Sequence, residues 1–138
     1  MALTPPIAAP AMAQDVQVER PNADAPYWNA SLPVEQRVED LLRRMTVDEK
    51  VAQIITVWNS KSAIQGEDDV FDPAKAAQVY PHGIGQIARP SDRLGPSSPR
   101  EVPRRSIEDS IQYVLDAQKW AMEDTRLGIP VLFHEESL

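Results

Sequence analysis

Two helical stripes of apolar residues, joined by a polar corner, dominate the first half of the sequence. Val38, Leu41, Leu42 and Met45 recur at i, i+3, i+4 and i+7, while Glu35, Arg37, Glu39, Asp40, Arg43 and Arg44 fill the opposite face. That spacing puts one side of a helix in an apolar environment and the other in water. Ser31 is a candidate N-cap, with Pro33 in the first turn. Thr46-Val47-Asp48-Glu49 then reads as a capping box, the Thr hydroxyl accepting from the Glu49 amide while the Glu49 carboxylate accepts from the Thr46 amide. Val51, Ile54, Ile55 and Trp58 repeat the i, i+3, i+4, i+7 stripe, which predicts a second helix reaching Trp58.

Residues 59–70 are small, polar and acidic, the composition of an exposed loop. Asp72-Pro73 supplies an N-cap and a first-turn proline for a short helix through Ala76, Ala77 and Val79, ended by Tyr80-Pro81-His82-Gly83. Gly83-Ile84-Gly85-Gln86-Ile87-Ala88 reads as a buried strand, with Gly85 admitting a close neighbour. Its G-x-G-x-x-A lettering matches a dinucleotide fingerprint, but that motif follows a strand and opens a helix, whereas these residues form the strand and run into Pro90. A Pro/Ser/Arg-rich loop occupies 89–105. Ser106-Ile107-Glu108-Asp109 caps a long helix whose apolar face is Ile107, Ile111, Val114, Leu115, Ala121 and Met122, closed by Leu127-Gly128. Val131-Leu132-Phe133-His134 is a second short apolar strand, opening onto Glu135 and Glu136.

Strand, helix and strand in succession make a β-α-β unit, so the expected fold class is α/β with a parallel sheet. Two strands cannot complete such a sheet, and a barrel of eight units needs roughly 250 residues. The expectation is that these 138 residues open a larger protein.

Composition narrows the function classes. With 14 basic against 21 acidic residues the formal charge is -7, which argues against a general nucleic-acid binder, since such proteins present a net basic footprint. No run of about 18 apolar residues is available to span a membrane. The absence of cysteine removes disulfides, thiolate nucleophiles and Cys-ligated metals. His82 and His134 are too few for a His-rich metal site, and the Glu67-Asp68-Asp69 run is read as a solvated turn, because calcium loops need spaced oxygen ligands.

The first residues differ in kind. Ala11-Met12-Ala13 before Gln14 has the small-x-small form of a signal-peptidase site, although residues 1–10 lack a basic region and carry three prolines. Residues 1–13 are read as the remnant of an export signal, 14–26 as an extended linker, and 27–138 as the folded portion. That reading places the protein in the periplasm or outside the cell.

The candidate chemistry gathers at strand ends, where a fixed backbone hands over to a loop free to carry function. Arg89 stands at the end of the first strand, where its planar fork of donors suits a carboxylate or a hydroxylated ligand. The other loop arginines, Arg93, Arg100, Arg104 and Arg105, are read as solvated. Glu135 and Glu136 tempt as an acid/base pair, yet neighbours on an extended segment face opposite sides and do not converge on one bond. His134 is expected to pack or hydrogen-bond within the core.

Residues 35–53, Glu35-Gln36-Arg37-Val38-Glu39-Asp40-Leu41-Leu42-Arg43-Arg44-Met45-Thr46-Val47-Asp48-Glu49-Lys50-Val51-Ala52-Gln53, closely resemble the opening segment of glycoside hydrolase family 3. Arg126 through Leu138 resembles that family's second segment, and the likeness runs in one register from about Tyr27 to Leu138. The resemblance implies the N-terminal portion of a TIM-like (β/α)8 barrel, incomplete in this chain, from an exported, exo-acting, retaining β-glucosidase or β-xylosidase. It implies a glycoside or oligosaccharide substrate, with no cofactor and no metal. In the family the nucleophilic Asp and the acid/base Glu come later in the chain and map onto no residue here. Glu136 falls where family members place a carboxylate that binds sugar hydroxyls; with Arg89, read from its place at a strand end, it is the expected substrate-binding residue. The alternative is a non-catalytic carbohydrate-binding or inactive remnant.

Overall fold

The computed structural model describes residues 21–95 and 104–135. The export-signal reading of residues 1–13 and most of the expected linker, 14–20, lie outside the described residues, as do Arg100 and Glu136. Structure starts earlier than the sequence suggested. Asn22 to Ala25 closes a turn, Asn22 Nδ2 donates to the Arg126 carbonyl at 2.8 Å, and Ala25 is buried ahead of a single 3₁₀ turn over Pro26–Trp28. The last six residues assigned to a linker therefore belong to the fold.

Helix α1 spans Val34–Arg44. Its N-cap is Pro33, and Ser31 donates instead to the Asn29 side chain at 2.6 Å, so the expected serine cap is not made. The predicted core stripe is also not a core: no residue of α1 is buried, and Val38 and Leu42 stay about half exposed while Met45, just past the end, is buried. What holds α1 is polar. Tyr27 N donates to Asp40 Oδ2 at 3.3 Å, and Arg37 Nε donates to the Tyr27 carbonyl at 3.0 Å.

Helix α2 spans Val47–Ala52, with both halves of the Thr46/Glu49 capping box formed. It does not reach Trp58. The β-branched run Ile54-Ile55-Thr56-Val57 favours extended backbone, and long-range partners claim it: Gly85 N donates to Ala52 O at 2.9 Å and Gln86 N to Ile55 O at 3.0 Å. Thr56–Val57 becomes strand β1. A helical period and a short buried strand were confused here, as an apolar run of this length allows.

A 3₁₀ turn at Lys61–Ile64 precedes helix α3, Pro73–Val79, which Asp72 caps by accepting from the amides of Ala74 and Lys75. Strand β2 covers Gln86–Ala88, within the predicted stretch, and a Cβ on Gly85 would stand 2.1 Å from the Gln53 carbonyl oxygen. The close approach expected at Gly85 is what lets α2 and β2 meet.

Helix α4 runs over Ile107–Glu123, capped by Ser106, and strand β3 covers Leu132–His134. The helix ends four residues before Leu127; Gly128, at φ +63°, shapes the turn that follows instead. Its buried face is Tyr113, Ala117, Trp120 and Ala121, whereas Ile107, Ile111 and Leu115 of the predicted apolar face are exposed. Small alanines bring α4 close to the sheet, and the two aromatic rings surround Phe71 at 5.8–5.9 Å.

The three strands form a parallel sheet in the order β1-β2-β3, with Val57 beside Ile87 and Ile87 beside Phe133. The described residues thus combine helices with a small parallel sheet. Val57, Ile64, Phe71, Ile84, Ile87, Tyr113, Trp120 and Val131 make its core. Gln118 pins α4 to the sheet: its amide donates to Val131 O and accepts from Val131 N, both at 2.9 Å.

Candidate functional site

Because the strands are parallel, their carboxyl ends open on one edge, the place where ligands meet α/β sheets. The chain leaving β1 reaches Lys61, that leaving β2 enters the turn 89–92, and that leaving β3 reaches Glu135. Arg105, just before α4, comes in from the side.

The turn after β2 is tied to the exit of β3. Arg89 N donates to the His134 carbonyl at 2.7 Å, and Ser91 N donates to Glu135 Oε1 at 2.8 Å. Arg89 holds a positive φ of +48°, a conformation that non-glycine residues keep only when their surroundings enforce it. Its guanidinium Nε stands 2.7 Å from Asp92 Oδ2, and Asp92 is almost wholly buried. Arg104 Nε lies 3.9 Å from the other oxygen of that carboxylate.

Two cations lie beneath this turn. Lys61 is 0% exposed and donates from Nζ to the carbonyls of Arg89 and Asp92, the latter at 3.0 Å. Burial pushes its ammonium down to about 8 from an ordinary 10.5, against the opposing pull of Asp92. Arg105 is also buried; Nη1 donates to Pro90 O at 2.7 Å and to Asp92 O, Nη2 donates to Asp69 O, and the guanidinium carbon sits 4.0 Å above the centre of the Tyr113 ring. Burial lowers the Arg105 pKa and raises the Tyr113 phenol to about 12.

Of the expected site residues, Arg89 is at the rim of the sheet, half-buried beside Asp92. Glu136 lies outside the described residues. Glu135 is occupied in anchoring Ser91. His134 is corrected: its side chain is exposed, and only its carbonyl enters the network. Arg105 is corrected as well, being buried although read as solvated; among the other described loop arginines Arg104 is largely open and Arg93 is partly exposed, 3.7 Å from Asp69 Oδ2. Lys61 was missed altogether, because its position just past a strand was hidden while that strand was read as helix. The signal for Arg105 was a basic residue immediately before a helix cap, with Tyr113 two turns further on.

The acidic turn is a loop whose backbone is engaged, Asp69 O accepting from Gln65 and Arg105. Among the described residues no three His, Asp or Glu side chains gather in a metal-binding arrangement, and no helix is long and apolar enough to cross a membrane. At the rim Arg89 stands beside the buried Asp92, and Glu135 holds the amide of Ser91. Lys61 is enclosed, so it acts on the backbone above it and not on a ligand.

No family model matches the chain. It is 33% identical over 112 residues to a protein of Formosa agariphila named "putative beta-xylosidase", a match that takes in 80% of this chain and 13% of that relative. The chain therefore has a glycosidase-like relationship and spans a small part of the length of the relative it matches.

Proposed function

We propose that these residues form the N-terminal portion of a TIM-like (β/α)8 barrel in an exo-acting, retaining β-glycosidase of glycoside hydrolase family 3, with β-xylosides favoured over β-glucosides as substrates. The similarity to a xylosidase across four-fifths of the chain carries this reading. The motif resemblance at 35–53 and 126–138 and the sequential parallel strands are compatible with it. In this reading the carboxyl edge of the sheet holds the non-reducing sugar. Glu136, next in the chain to Glu135, accepts from sugar hydroxyls while Arg89 lies at the same rim. An ionised carboxylate is acceptor-only and takes two hydroxyl donors at once.

Retaining hydrolysis uses two carboxyl groups, one attacking the anomeric carbon and one moving a proton to and from the leaving oxygen. Both lie outside these 138 residues in this reading. The sugar-binding carboxylate contributes by binding the distorted ring of the transition state more tightly than the ground state. Export follows from Ala11-Met12-Ala13, with a mature protein beginning near Gln14; N-terminal sequencing of secreted material checks that step, and retention of Met1 refutes it.

The test is kinetic. The natural protein carrying this segment hydrolyses an aryl β-xyloside with retained configuration, while the 138-residue chain alone gives no turnover. In the natural protein Glu136→Gln lowers kcat/KM by about 10- to 150-fold, the loss of one charged hydrogen bond of roughly 1.5–3 kcal/mol. Absence of turnover on both β-xylosides and β-glucosides sinks the glycosidase reading. An unchanged kcat/KM removes Glu136 from the sugar site.

A further inference from the structure

We propose that Lys61 and Arg105 are a paired clamp, positioning residues that hold the turn 89–92 against the exit of β3 and so set where the substrate-facing rim stands. The inference deepens the sugar-binding reading of that rim and rests on it.

Every carbonyl of the turn is taken by one of these two residues. Arg89 O accepts from Lys61 Nζ, Pro90 O from Arg105 Nη1, Ser91 O from the Arg105 amide at 2.7 Å, and Asp92 O from both side chains. Asp92 N closes the turn on Arg89 O at 3.0 Å, and the other two amides face the other way. Arg89 N and Ser91 N reach the His134 carbonyl and the Glu135 carboxylate, so the turn is stretched between two buried cations on one side and the end of β3 on the other. The turn's own bond reaches only Arg89 O, so the carbonyls of Pro90, Ser91 and Asp92 depend on Arg105 and Lys61 for their partners. The positive φ of Arg89 is the local sign that the surroundings dictate the backbone.

The two residues divide the work. Lys61 comes from the 3₁₀ turn after β1 and Arg105 from the loop before α4, so the clamp joins the exits of all three strands in one unit. Its Nη2 contact to Asp69 O and its place over Tyr113 anchor Arg105 from behind. Glu135 is tied to the turn through Ser91. A shift of the turn would move Arg89 and Glu135 together.

The experiment uses the natural protein, with Lys61→Met and Arg105→Lys variants, and reads two quantities. Amide hydrogen exchange over residues 89–92 is protected in the parent and accelerates by about tenfold or more in each variant, while α4 keeps its protection. Aryl β-xyloside kinetics show KM raised by about tenfold with kcat little changed, the pattern for lost binding shared by ground and transition states. Lys61→Arg, which keeps the charge and the donors, recovers part of both. Exchange over 89–92 in the parent at the rate of unstructured chain overturns the clamp, even where a variant fails to fold. Accelerated exchange with unchanged KM overturns the positioning role. Absence of hydrolysis by the parent defeats the glycosidase reading alone, and the exchange measurement still decides the clamp.

Discussion

The carboxyl edge of the sheet and the outward faces of the helices handle opposite kinds of side chain in opposite ways. At the edge a lysine and an arginine are sealed in and every donor that the structure assigns them meets a carbonyl. On the helices Val38 and Leu42 of α1, Val51 of α2, and Ile107, Ile111 and Leu115 of α4 stand open, Ile107 at 76% exposure. Residue type therefore does not decide burial here. What decides it is whether a second element arrives: three strand exits converge on Lys61, and no described element covers the outer stripe of α4.

Substitutions on the two faces of α4 should break the comparison most sharply. Trp120→Ala removes a buried ring packed on Phe71 and should cost about 3–5 kcal/mol in urea unfolding. A loss below about 1 kcal/mol would show that the aromatic cluster does not carry the core. Gly85→Ala comes next, at about 3 kcal/mol by the same measurement, because the added methyl meets the Gln53 backbone at 2.1 Å. Neutral behaviour there would mean that α2 and β2 are not in close contact.

The ion pair between Arg126 and Glu49 ties the start of α2 to the turn before β3, with Arg126 Nε donating at 2.7 Å and a second donor from Nη2. Arg126 and the capping box hold the Glu49 carboxyl down to about 2, well below its ordinary 4.5. A depressed carboxylate stabilises the fold fully above the unfolded value, so this contribution declines as pH falls from about 4.5 to about 2. Discounted for the half-exposed Arg126, it amounts to about 2 kcal/mol, and Glu49→Gln should erase that part of the acid dependence.

Lys61 gives the alkaline counterpart with the opposite sense. Its folded-state value of about 8 lies below the unfolded 10.5, so between those limits the unfolded chain binds the extra proton and stability rises with pH. Lys61→Met should flatten that rise in urea midpoints taken from pH 7 to 10.5; an unchanged slope would mean that the ammonium is not buried. The smallest effect belongs to the open stripe: Leu115→Gln should change stability by no more than about 0.5 kcal/mol. A larger loss would mean that the outer face of α4 is covered.

Much of the frame was legible without coordinates. The Thr46/Glu49 box, the Asp72-Pro73 start of α3, the Ser106 cap and the tight approach at Gly85 all formed as read, because each depends on residues within a turn of one another or on the size of one side chain. The ends of the helices were less legible. Ile54 to Val57 satisfied a helical period and a strand equally well until β2 arrived to pair with it, and α4 chose Tyr113, Ala117 and Trp120 over Ile107 and Ile111 because the sheet lay on that side. The site divides along the same line. Sequence placed Arg89 and Glu135 at strand ends, since a position in the chain sufficed. Only the tertiary structure revealed Lys61 and Arg105, 44 residues apart by number, since a buried cation is recognised by the carbonyls gathered around it and those come from other parts of the chain.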